Sequence, residues 1–375
     1  MTVMDRNILG MTLEEYARHR GRHVQAVRGA YRAVMRAGAV EESDGDVLIP
    51  AASRLTRDGA DGTVKFCLPV GAAGGSGAAL ESESVIIPMT SFGGTRWYTL
   101  CVSSQVGCRM GCTFCETGRM GLVKNLTAAE IVQQRLAARR LRMADMPAAG
   151  AAGKHSGERG VGGQRYFADG IQNIVFMGMG EPLDNFENVL QAIRVLAEPA
   201  GCNFPMGQIT VSTVGRIDGL RRLGELVRAE PAWRNLRIAV SLNAAREAVR
   251  DELMPINRAM PLEQLQRALV EYPLPPKGRF LIEYVLIKGV NDSPADVDAV
   301  AAFCAPLRCI VNVIPYNPQR FAPYETPEEE TVLGFMRGLK ERGLFVKRRT
   351  THGREMMGAC GQLGNPEVRR VGIRR

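Results

Sequence analysis

Six short apolar runs alternate with helix-length segments from residue 97 onward. The runs are Trp97–Val102, Asn173–Met177, Gln208–Ser212, Leu236–Leu242, Phe280–Ile287 and Ile310–Ile314. Buried-type strands separated by helices are typical of parallel βαβ units. The pattern therefore predicts an α/β fold, built either as an open doubly wound sheet or as a full or partial β/α barrel.

Local signals predict where helices begin. Thr12 with Glu15, and Thr127 with Glu130, have the spacing of a capping box, in which a threonine and a glutamate each bond the other's backbone N–H. After the first box, apolar residues recur at helical spacing, at Val24, Val27, Tyr31 and Val34. The N-terminus is therefore predicted to form a small helical module, which could serve either in packing or in substrate binding.

Composition along the chain predicts four regions. Residues 1–50 form the helical accessory domain, and 51–95 form a β-prone extension that includes "TVKFCLPV" and "ESVIIPM". Residues 96–350 form the α/β domain, in which the Gly-rich stretch at 148–165 is predicted to be a flexible insertion. Residues 351–375 form a C-terminal segment with a basic tail.

The net charge of +9 and the pI near 9.2 indicate a polyanionic partner. Basic runs occur at "KRRTTHGR" (347–354) and "VRRVGIRR" (368–375). Charge alone leaves nucleic-acid binding and a scattered basic surface equally open. The N-terminus shows no signal-peptide core, and no apolar run approaches the roughly 20 residues that span a bilayer. We therefore expect a cytoplasmic protein with no membrane partner.

Four cysteines lie within "CVSSQVGCRMGCTFCETG". Cys108, Cys112 and Cys115 have the spacing C-x3-C-x2-C, and Cys101 lies just upstream. A reducing cytosol and an odd total of nine cysteines argue against a disulfide framework. Structural zinc usually takes four ligands, and a dithiol redox pair would leave Cys108 unexplained. Three close thiolates fit a 4Fe–4S cluster with one iron open to a further ligand.

Further along the chain, "MGMGEP" follows the second run. A strand that ends in Gly-x-Gly-Glu lets backbone approach a ligand and offers a carboxylate to an ammonium group. A tight strand-to-helix turn would give the same pattern.

A set of longer blocks resembles one known family. "TLCVSSQVGCRMGCTFCETGRMGLVKNLTAAEI", "IVFMGMGEPLDNFENV", "TVSTVGRIDGL", "AVSLNAAREAVRDELMPINRAMPLEQL", "EYVLIKGVND", "VNVIPYNP" and "GACGQLG" occur in the order seen in the RlmN/Cfr family of radical S-adenosylmethionine (SAM) RNA methyltransferases. The resemblance runs from about residue 83 to residue 363. It implies a radical SAM partial (β/α)6 barrel with a small N-terminal helical domain and short β extensions.

The resemblance also implies two cofactors, one 4Fe–4S cluster per chain and SAM. In the family the three clustered cysteines hold the cluster. The positions that match the SAM contacts are Gly180, Glu181, Ser212, Ser241, Leu242, Asn243 and Asn317.

Three further residues receive roles from the resemblance. Cys360 matches the cysteine that carries a methyl group, and Cys101 matches the cysteine that later resolves the protein–RNA adduct through a transient disulfide with it. Glu83 matches the proton acceptor, although Glu81 lies one alternating step away and leaves this match ambiguous. The remaining cysteines are interpreted as small buried apolar side chains, at Cys67, Cys202, Cys304 and Cys309.

The sequence departs from the family pattern around the reaction centre. Asn243 replaces a histidine, His352 stands where arginine is usual, Arg354 replaces an acidic residue, and Glu116 replaces a small one. These changes suggest a divergent branch whose RNA target or ring position could differ.

The resemblance predicts methylation of an adenosine ring carbon, by default carbon 2, in 23S ribosomal RNA and also in transfer RNA. Alternatives are the same mechanism at carbon 8, action on transfer RNA only, a non-catalytic Fe–S protein that binds RNA, and a different radical enzyme such as an activase or mutase. We expect structured RNA as a partner, a flavodoxin or ferredoxin as the electron donor, and a monomer.

Overall fold

The structure, a computed structural model, describes residues 7–37, 50–71, 80–91, 93–146, 167–319 and 323–364. The insertion predicted at 148–165 and the basic tail from residue 365 lie outside the described residues. The chain divides into two compact units. Unit 1 comprises 1–104, 125–178 and 185–209, and unit 2 comprises 105–124, 179–184 and 210–375. The boundaries predicted at 50, 95 and 350 stay a prediction.

Unit 1 contains an antiparallel array to which one parallel strand is added. Its strands are β1 (Arg54–Arg57), β2 (Val64–Val70), β3 (Leu80–Thr90), β4 (Arg96–Cys101) and β7 (Ile171–Phe176). β1 to β4 pair antiparallel in chain order, and β4 pairs parallel with β7. The pairing of β4 with β7 confirms the first two predicted runs as neighbouring parallel strands.

The helices of unit 1 are α1 (Leu13–His19), α2 (Val24–Ala37), α4 (Ala128–Ala144) and α5 (Phe186–Ala197). Both predicted capping boxes are confirmed, at Thr12 with Glu15 and at Thr127 with Glu130. On α2, Val27, Tyr31 and Val34 are buried as their spacing predicted. Capping and periodicity are local signals, which is why the sequence is sufficient to place these helices.

Unit 2 consists of parallel strands alternating with helices. The strands are β8 (Ile209–Thr213), β9 (Arg237–Ser241), β10 (Phe280–Leu286), β11 (Cys309–Pro315) and β12 (Val346–Arg348). The helices are α3 (Glu116–Arg119), α6 (Ile217–Ala229), α7 (Glu247–Leu253), α8 (Leu262–Glu271), α9 (Pro294–Cys304) and α10 (Glu329–Glu341). Unit 2 also holds β5 (Gln105–Cys108), which pairs with β6 (Gly121–Asn125).

Each of β8 to β11 pairs parallel with the next strand of the chain. A doubly wound sheet reverses its strand order at a switch point, whereas a β/α barrel adds strands in sequence. The order in unit 2 therefore favours the barrel-type alternative. Ile282, Tyr284 and Leu286 of β10 are fully buried, and because they are two residues apart they form one apolar face of the strand.

None of the helices in the described residues combines the length and the apolar character that crossing a bilayer requires.

Candidate active site

The predicted cluster ligands lie on a hairpin of unit 2. β5 and β6 pair with each other, and the cysteine loop (residues 108–120) connects them. Cys108 is the last residue of β5, and Cys115 is the N-cap of α3. Cys112 lies between them, and its carbonyl oxygen accepts a hydrogen bond from the backbone N–H of Cys115 at 3.2 Å. The hairpin therefore holds three thiols on one short loop.

Two glycines allow this loop to close. Gly107 has a φ of +72°, and a Cβ there would lie 1.9 Å from the carbonyl oxygen of Gly121 on the opposite strand. A Cβ at Gly118 would lie 2.9 Å from the carbonyl oxygen of Cys112. Since both obstacles are backbone atoms, only glycine fits these positions without moving the hairpin.

The three thiols are shielded from solvent. Cys108 and Cys112 are buried, and Cys115 is half-buried. Burial raises the pKa of each thiol, and the charge of Cys115 raises the pKa of Cys112 further. Because cysteine binds metal as the thiolate, metal binding at this loop would release protons.

The donor set fits an iron–sulfur cluster better than a single ion. Within the described residues, no group of three or more His, Cys, Asp or Glu side chains could hold one metal ion. Thiolate-only ligand sets are typical of iron–sulfur clusters, and each cysteine of a cubane binds a different iron. Cys108, Cys112 and Cys115 on this loop provide such a thiolate-only ligand set.

Residues 179–184 bring Gly180 and Glu181 beside β5. Gly180 has a φ of +101°, and a Cβ there would lie 2.5 Å from Cβ of Gln105. Oε1 of Gln105 accepts a hydrogen bond from the backbone N–H of Glu181 at 2.8 Å. Gln105, which sequence analysis did not single out, thus connects the cysteine hairpin to the Gly-x-Gly-Glu segment. No local pattern marks such a residue, because its role depends on contacts made far along the chain.

The Glu181 carboxylate is buried among backbone donors. It accepts hydrogen bonds from the N–H of Leu183 at 3.0 Å and of Val214 at 2.8 Å. Burial outweighs these bonds and raises the pKa of Glu181 to about 7. The carboxylate therefore ties the end of β8 to the 179–184 segment and titrates near neutrality.

The other predicted SAM contacts of this region lie at the carboxyl ends of β8 and β9. Ser212 is the second-last residue of β8, and Ser241 is the last residue of β9; both are half-buried. Leu242, which follows β9, is fully buried. β8 and β9 are parallel neighbours. The carboxyl ends of parallel strands are where β/α proteins bind ligands, and these three residues lie at the carboxyl ends of two such strands.

Asn243 makes structural contacts with its side chain. Its φ is +54°, a left-handed conformation that asparagine tolerates better than most residues. Oδ1 accepts a hydrogen bond from the N–H of Val285 at 3.0 Å, and Nδ2 donates to Sδ of Met254 at 3.4 Å. The carbonyl oxygen of Asn243 accepts from Nδ2 of Asn291 at 2.6 Å. Asn243 therefore fixes the loop that follows β9 against β10.

Cys360 lies on a segment that bonds to the cysteine loop. Nδ2 of Asn317 donates to the carbonyl oxygen of Cys360 at 3.3 Å. The next carbonyl, that of Gly361, accepts from the N–H of Glu116 at 2.9 Å and from Nε2 of Gln319 at 3.0 Å. The predicted methyl carrier is thus tied to the loop that bears the predicted cluster ligands, and Asn317 is part of that connection.

Two amide oxygens next to Cys360 have unmet hydrogen-bonding capacity. Oδ1 of Asn317 and Oε1 of Gln319 are buried and have no hydrogen-bond partner in the described part of the chain. Buried acceptors are nearly always paired, so these two oxygens are available to a donor that the described residues do not supply. The carbonyl-rich surroundings of Cys360 therefore suit a polar, hydrogen-donating cofactor.

In unit 1, Glu83 and Cys101 lie on the same face of a sheet. In the register of β3 and β4, Val85 pairs with Cys101, and Glu83 lies two residues along β3 from Val85. Residues at this diagonal spacing are about 7–8 Å apart and share a face. Glu83 is buried and forms an ion pair with Nζ of Lys65 at 2.9 Å. Lys65 on β2 was not singled out from the sequence.

Glu81 differs from Glu83 in its surroundings. Its carboxylate bonds to Oγ of Ser53 at 2.6 Å and to Arg54 at 2.5 Å, at the exposed start of β3. The Glu81 side chain is 24% exposed, against 4% for Glu83. Burial and proximity to Cys101 both favour Glu83 as the functional carboxylate.

Curated relatives and a solved structure resemble this chain over most of its length. It is 40% identical over 78% of its length to a probable dual-specificity RNA methyltransferase RlmN of Protochlamydia amoebophila, covering 72% of that protein. It is 43% identical over 71% of its length to the dual-specificity RNA methyltransferase RlmN of Syntrophobacter fumaroxidans, covering 69% of it. A radical SAM methyltransferase from Sphaerobacter thermophilus superposes with a TM-score of 0.76 at 32% identity, covering 94% of this chain and 98% of that one.

The chain belongs to the RlmN family of radical SAM RNA methyltransferases. The predicted α/β radical SAM fold with N-terminal helices is thereby confirmed. No protein-family model matches the chain. Membership in the RlmN family implies a 4Fe–4S cluster, SAM and an RNA substrate.

The departures from the RlmN family pattern have visible structural consequences. Arg354 donates from Nη2 to Oγ1 of Thr326 at 2.7 Å and to the carbonyl oxygen of Tyr316 at 3.5 Å. It therefore binds the segment that carries Asn317. Glu116 is buried at the start of α3, where a carboxylate is favourable to the helix dipole.

The basic run at 347–354 is partly neutralised. Arg348 pairs with Glu329 of α10, and Arg349 pairs with Glu283 of β10 at 3.5 Å. Part of this run therefore stabilises unit 2 rather than presenting free positive charge. The cysteines interpreted as apolar side chains, Cys67, Cys202, Cys304 and Cys309, are all buried, as predicted.

Proposed function

We propose that this chain methylates a ring carbon of adenosine in structured RNA, by default carbon 2, in 23S ribosomal RNA and in transfer RNA. The relatives that it matches include dual-specificity RNA methyltransferases, which supports two RNA substrates. The pI near 9.2 suits a polyanionic substrate.

The observation that carries the proposal is the attachment of the Cys360 segment to the cysteine loop. The hydrogen bond from the N–H of Glu116 to the carbonyl oxygen of Gly361 joins the residue after Cys115 to the residue after Cys360. A protein that only held a cluster would not need a partly exposed thiol tied to that loop. A methyl carrier needs such a thiol beside the cofactor.

In this proposal Cys108, Cys112 and Cys115 hold the 4Fe–4S cluster. When bound, a reduced cluster and SAM would together supply a 5′-deoxyadenosyl radical, with the electron drawn from a flavodoxin- or ferredoxin-type carrier. The residues that bind and orient SAM are Gly180, Glu181, Ser212, Ser241, Leu242, Asn243 and Asn317. The unpaired Oδ1 of Asn317 is suited to accept a hydrogen bond from the cofactor.

Cys360 and Cys101 are proposed to act in succession. Cys360 carries a methyl group, one hydrogen atom of which would go to the 5′-deoxyadenosyl radical before the carbon bonds to the adenine ring. The ring would then give one electron back to the oxidised cluster and lose its proton. The Cys101 thiolate then attacks Sγ of Cys360, so that an S–S bond forms while the carbon–sulfur bond breaks. The electron pair of the broken bond stays with the carbon, which takes up a proton to become the methyl group. A cellular dithiol must reduce the disulfide before the next turnover.

Glu83 is proposed to accept the proton that the ring carbon loses. A carboxylate can serve as a general base where it reaches the proton. Nζ of Lys65 lies 2.9 Å from this carboxylate and helps to fix its position.

Mass spectrometry of nucleosides from a deletion strain and its complemented parent tests the function. We expect 2-methyladenosine to disappear from ribosomal and transfer RNA and to return on complementation. Loss of 8-methyladenosine would instead assign carbon 8, loss confined to transfer RNA would restrict the substrate, and loss of neither nucleoside would refute the proposal.

The thiol roles are tested with purified variants. Cys101→Ala should accumulate a covalent protein–RNA adduct, and Cys360→Ala should form neither adduct nor product. Cys202→Ala is the matched control, since Cys202 is a buried cysteine of unit 1 whose Sγ contacts the carbonyl oxygen of Met35. It should methylate like the parent. Absence of adduct in Cys101→Ala would contradict the resolving role.

A further inference from the structure

Arg250, on α7, is a fully buried cation held mainly by carbonyl oxygens. Its side chain is 1% exposed. Nη2 donates to the carbonyl oxygen of Val214 at 2.7 Å, and Nη1 donates to the carbonyl oxygens of Ser241, at 3.2 Å, and of Leu242. Nε donates to Oδ1 of Asn257 at 2.9 Å. One guanidinium therefore joins the ends of β8 and β9.

The carboxylates closest to Arg250 are bonded to a neutral amide. Nδ2 of Asn257 donates to Glu247 and to Asp251, and both carboxylates act on Arg250 electrostatically. Burial lowers the pKa of Arg250 to about 10 despite these charges. Burying a guanidinium costs several kcal/mol unless its donors are satisfied, and here backbone oxygens satisfy much of that need.

The segment after Arg250 contacts the cysteine loop. The N–H of Thr113 donates to the carbonyl oxygen of Leu253, the last residue of α7, at 3.0 Å. Leu253 and Met254 pack in one buried cluster with Cys108 and Cys112. Nη1 of Arg250 also donates to Sδ of Met254 at 3.5 Å, so the guanidinium contacts the buried cluster that includes Cys112. Arg250 is thus coupled both to the strand ends that carry predicted SAM contacts and to a predicted cluster ligand.

We infer that Arg250 is a positioning residue with two roles. Its planar guanidinium holds the ends of β8 and β9 in the geometry that binds SAM, and its positive charge stabilises the reduced state of the cluster. The inference deepens the proposed function and rests on the cluster and SAM binding to unit 2. Reduction adds one negative charge to the cluster. A nearby cation in a low-dielectric interior therefore favours the reduced form.

Two substitutions separate the roles. Arg250→Gln removes both the positive charge and the guanidinium. Arg250→Lys keeps the charge but loses the planar guanidinium, which can donate to several carbonyl oxygens at once. The matched control is Arg135→Lys. Arg135 is a buried arginine of unit 1 that pairs with Asp169 at 2.6 Å, so its substitution disturbs a buried guanidinium without changing the proposed site.

The proteins are reconstituted with iron and sulfide, and cluster content is measured first. Potentiometric titration followed by electron paramagnetic resonance gives the ratio of reduced to oxidised cluster in the absence of SAM. Calorimetry gives the affinity of the protein for SAM. For Arg250→Gln we expect the ratio at a fixed potential to fall about tenfold, a shift of about 59 mV for a one-electron couple. We also expect SAM affinity to fall about tenfold or more.

Arg250→Lys should keep a ratio of reduced to oxidised cluster near that of the parent but bind SAM more weakly. Arg135→Lys should match the parent in both the cluster ratio and the SAM affinity. An unchanged potential in Arg250→Gln would overturn the electrostatic role, and unchanged SAM affinity in Arg250→Lys would overturn the positioning role. If Arg250→Gln does not fold, Arg250→Lys is decisive: weaker SAM binding with an unshifted potential supports the inference, and parental affinity refutes it. A parent protein that binds no cluster would instead refute the proposed function.

Discussion

Lys65 and Glu83 form an ion pair on adjacent strands of unit 1, with Nζ and Oε2 2.9 Å apart. Their side chains are only 14% and 4% exposed. In the pairing of β2 with β3, Glu83 lies directly opposite Cys67, and in the pairing of β3 with β4 it lies diagonal to Cys101. Glu83 is therefore on the strand between the two that carry these thiols. The ion pair with Lys65 offsets part of the free-energy cost of burying the Glu83 carboxylate.

We predict that Lys65→Met destabilises the protein by about 3 kcal/mol, because it leaves a buried carboxylate without its cation. The measurement is the shift of the urea midpoint. The control is Arg54→Met, which breaks an ion pair whose side chains are 52% and 24% exposed. Exposed pairs contribute about 1 kcal/mol or less. Equal losses in the two variants would show that burial does not distinguish the pairs.

The double variant Lys65→Met/Glu83→Gln tests the cause of that loss. Removing both charges eliminates the buried carboxylate that has lost its ion pair with Lys65, so the double variant should regain part of the stability lost in Lys65→Met. If the stability lost in the double variant equals the sum of the losses in Lys65→Met and Glu83→Gln, the two residues do not interact. The ion pair would then not explain the destabilisation of Lys65→Met.

A second prediction concerns Asn317. Asn317→Ala removes the unpaired buried Oδ1 and the bond to the carbonyl oxygen of Cys360. We expect SAM affinity to fall about tenfold, since one hydrogen bond to a charged group contributes about 1.5–3 kcal/mol. Asn312→Ala is the control, because Nδ2 of Asn312 bonds to Glu283 within the sheet. A similar decrease in both variants would indicate general loosening of unit 2.

Much of the fold could be predicted from the sequence because its signals are local. Apolar runs located β4 and β7 to β11, and capping boxes located the starts of α1 and α4. The β5–β6 hairpin was missed, because its strands are short and Gly-containing, and contacts rather than propensity fix their pairing. The three-residue strand β12 was missed for the same reason.

The site was predicted residue by residue from family blocks, whereas the supporting contacts were not. Gln105, Lys65 and Arg250 act through partners on other strands or loops, so no spacing marks them. Alternation left Glu81 and Glu83 equivalent, and their different burial and different distance from Cys101 along the strand separate them. A pattern with a period of two residues identifies the face of a strand but not how deeply each residue of that face is buried.

A third prediction uses the titration of Glu181, whose pKa burial raises to about 7. An acid with a raised folded-state pKa binds its proton more tightly when folded, so its contribution to stability is present at low pH and is lost as pH rises through about 7. Infrared spectroscopy should show a protonated carboxyl band that disappears around pH 7 and is absent in Glu181→Gln. A band that persists in that variant would assign the titration to another carboxyl group.

The last prediction concerns the glycine next to the first cluster ligand. Gly107 has a φ of +72°, and a Cβ there would lie 1.9 Å from the carbonyl oxygen of Gly121. Gly289 has a similar φ of +69°, but a Cβ there meets nothing within 4 Å. Replacing either with alanine imposes the same backbone strain, of about 1 kcal/mol, and only Gly107→Ala adds a clash with backbone across the hairpin.

We therefore expect Gly107→Ala to lose most of its iron after reconstitution, because β5 must separate from β6 and carry Cys108 away from its position. Gly289→Ala should retain the iron and sulfide content of the parent, measured chemically and by absorbance. Full cluster content in Gly107→Ala would mean that the three cysteines can bind their metal without the hairpin that holds them together in this structure.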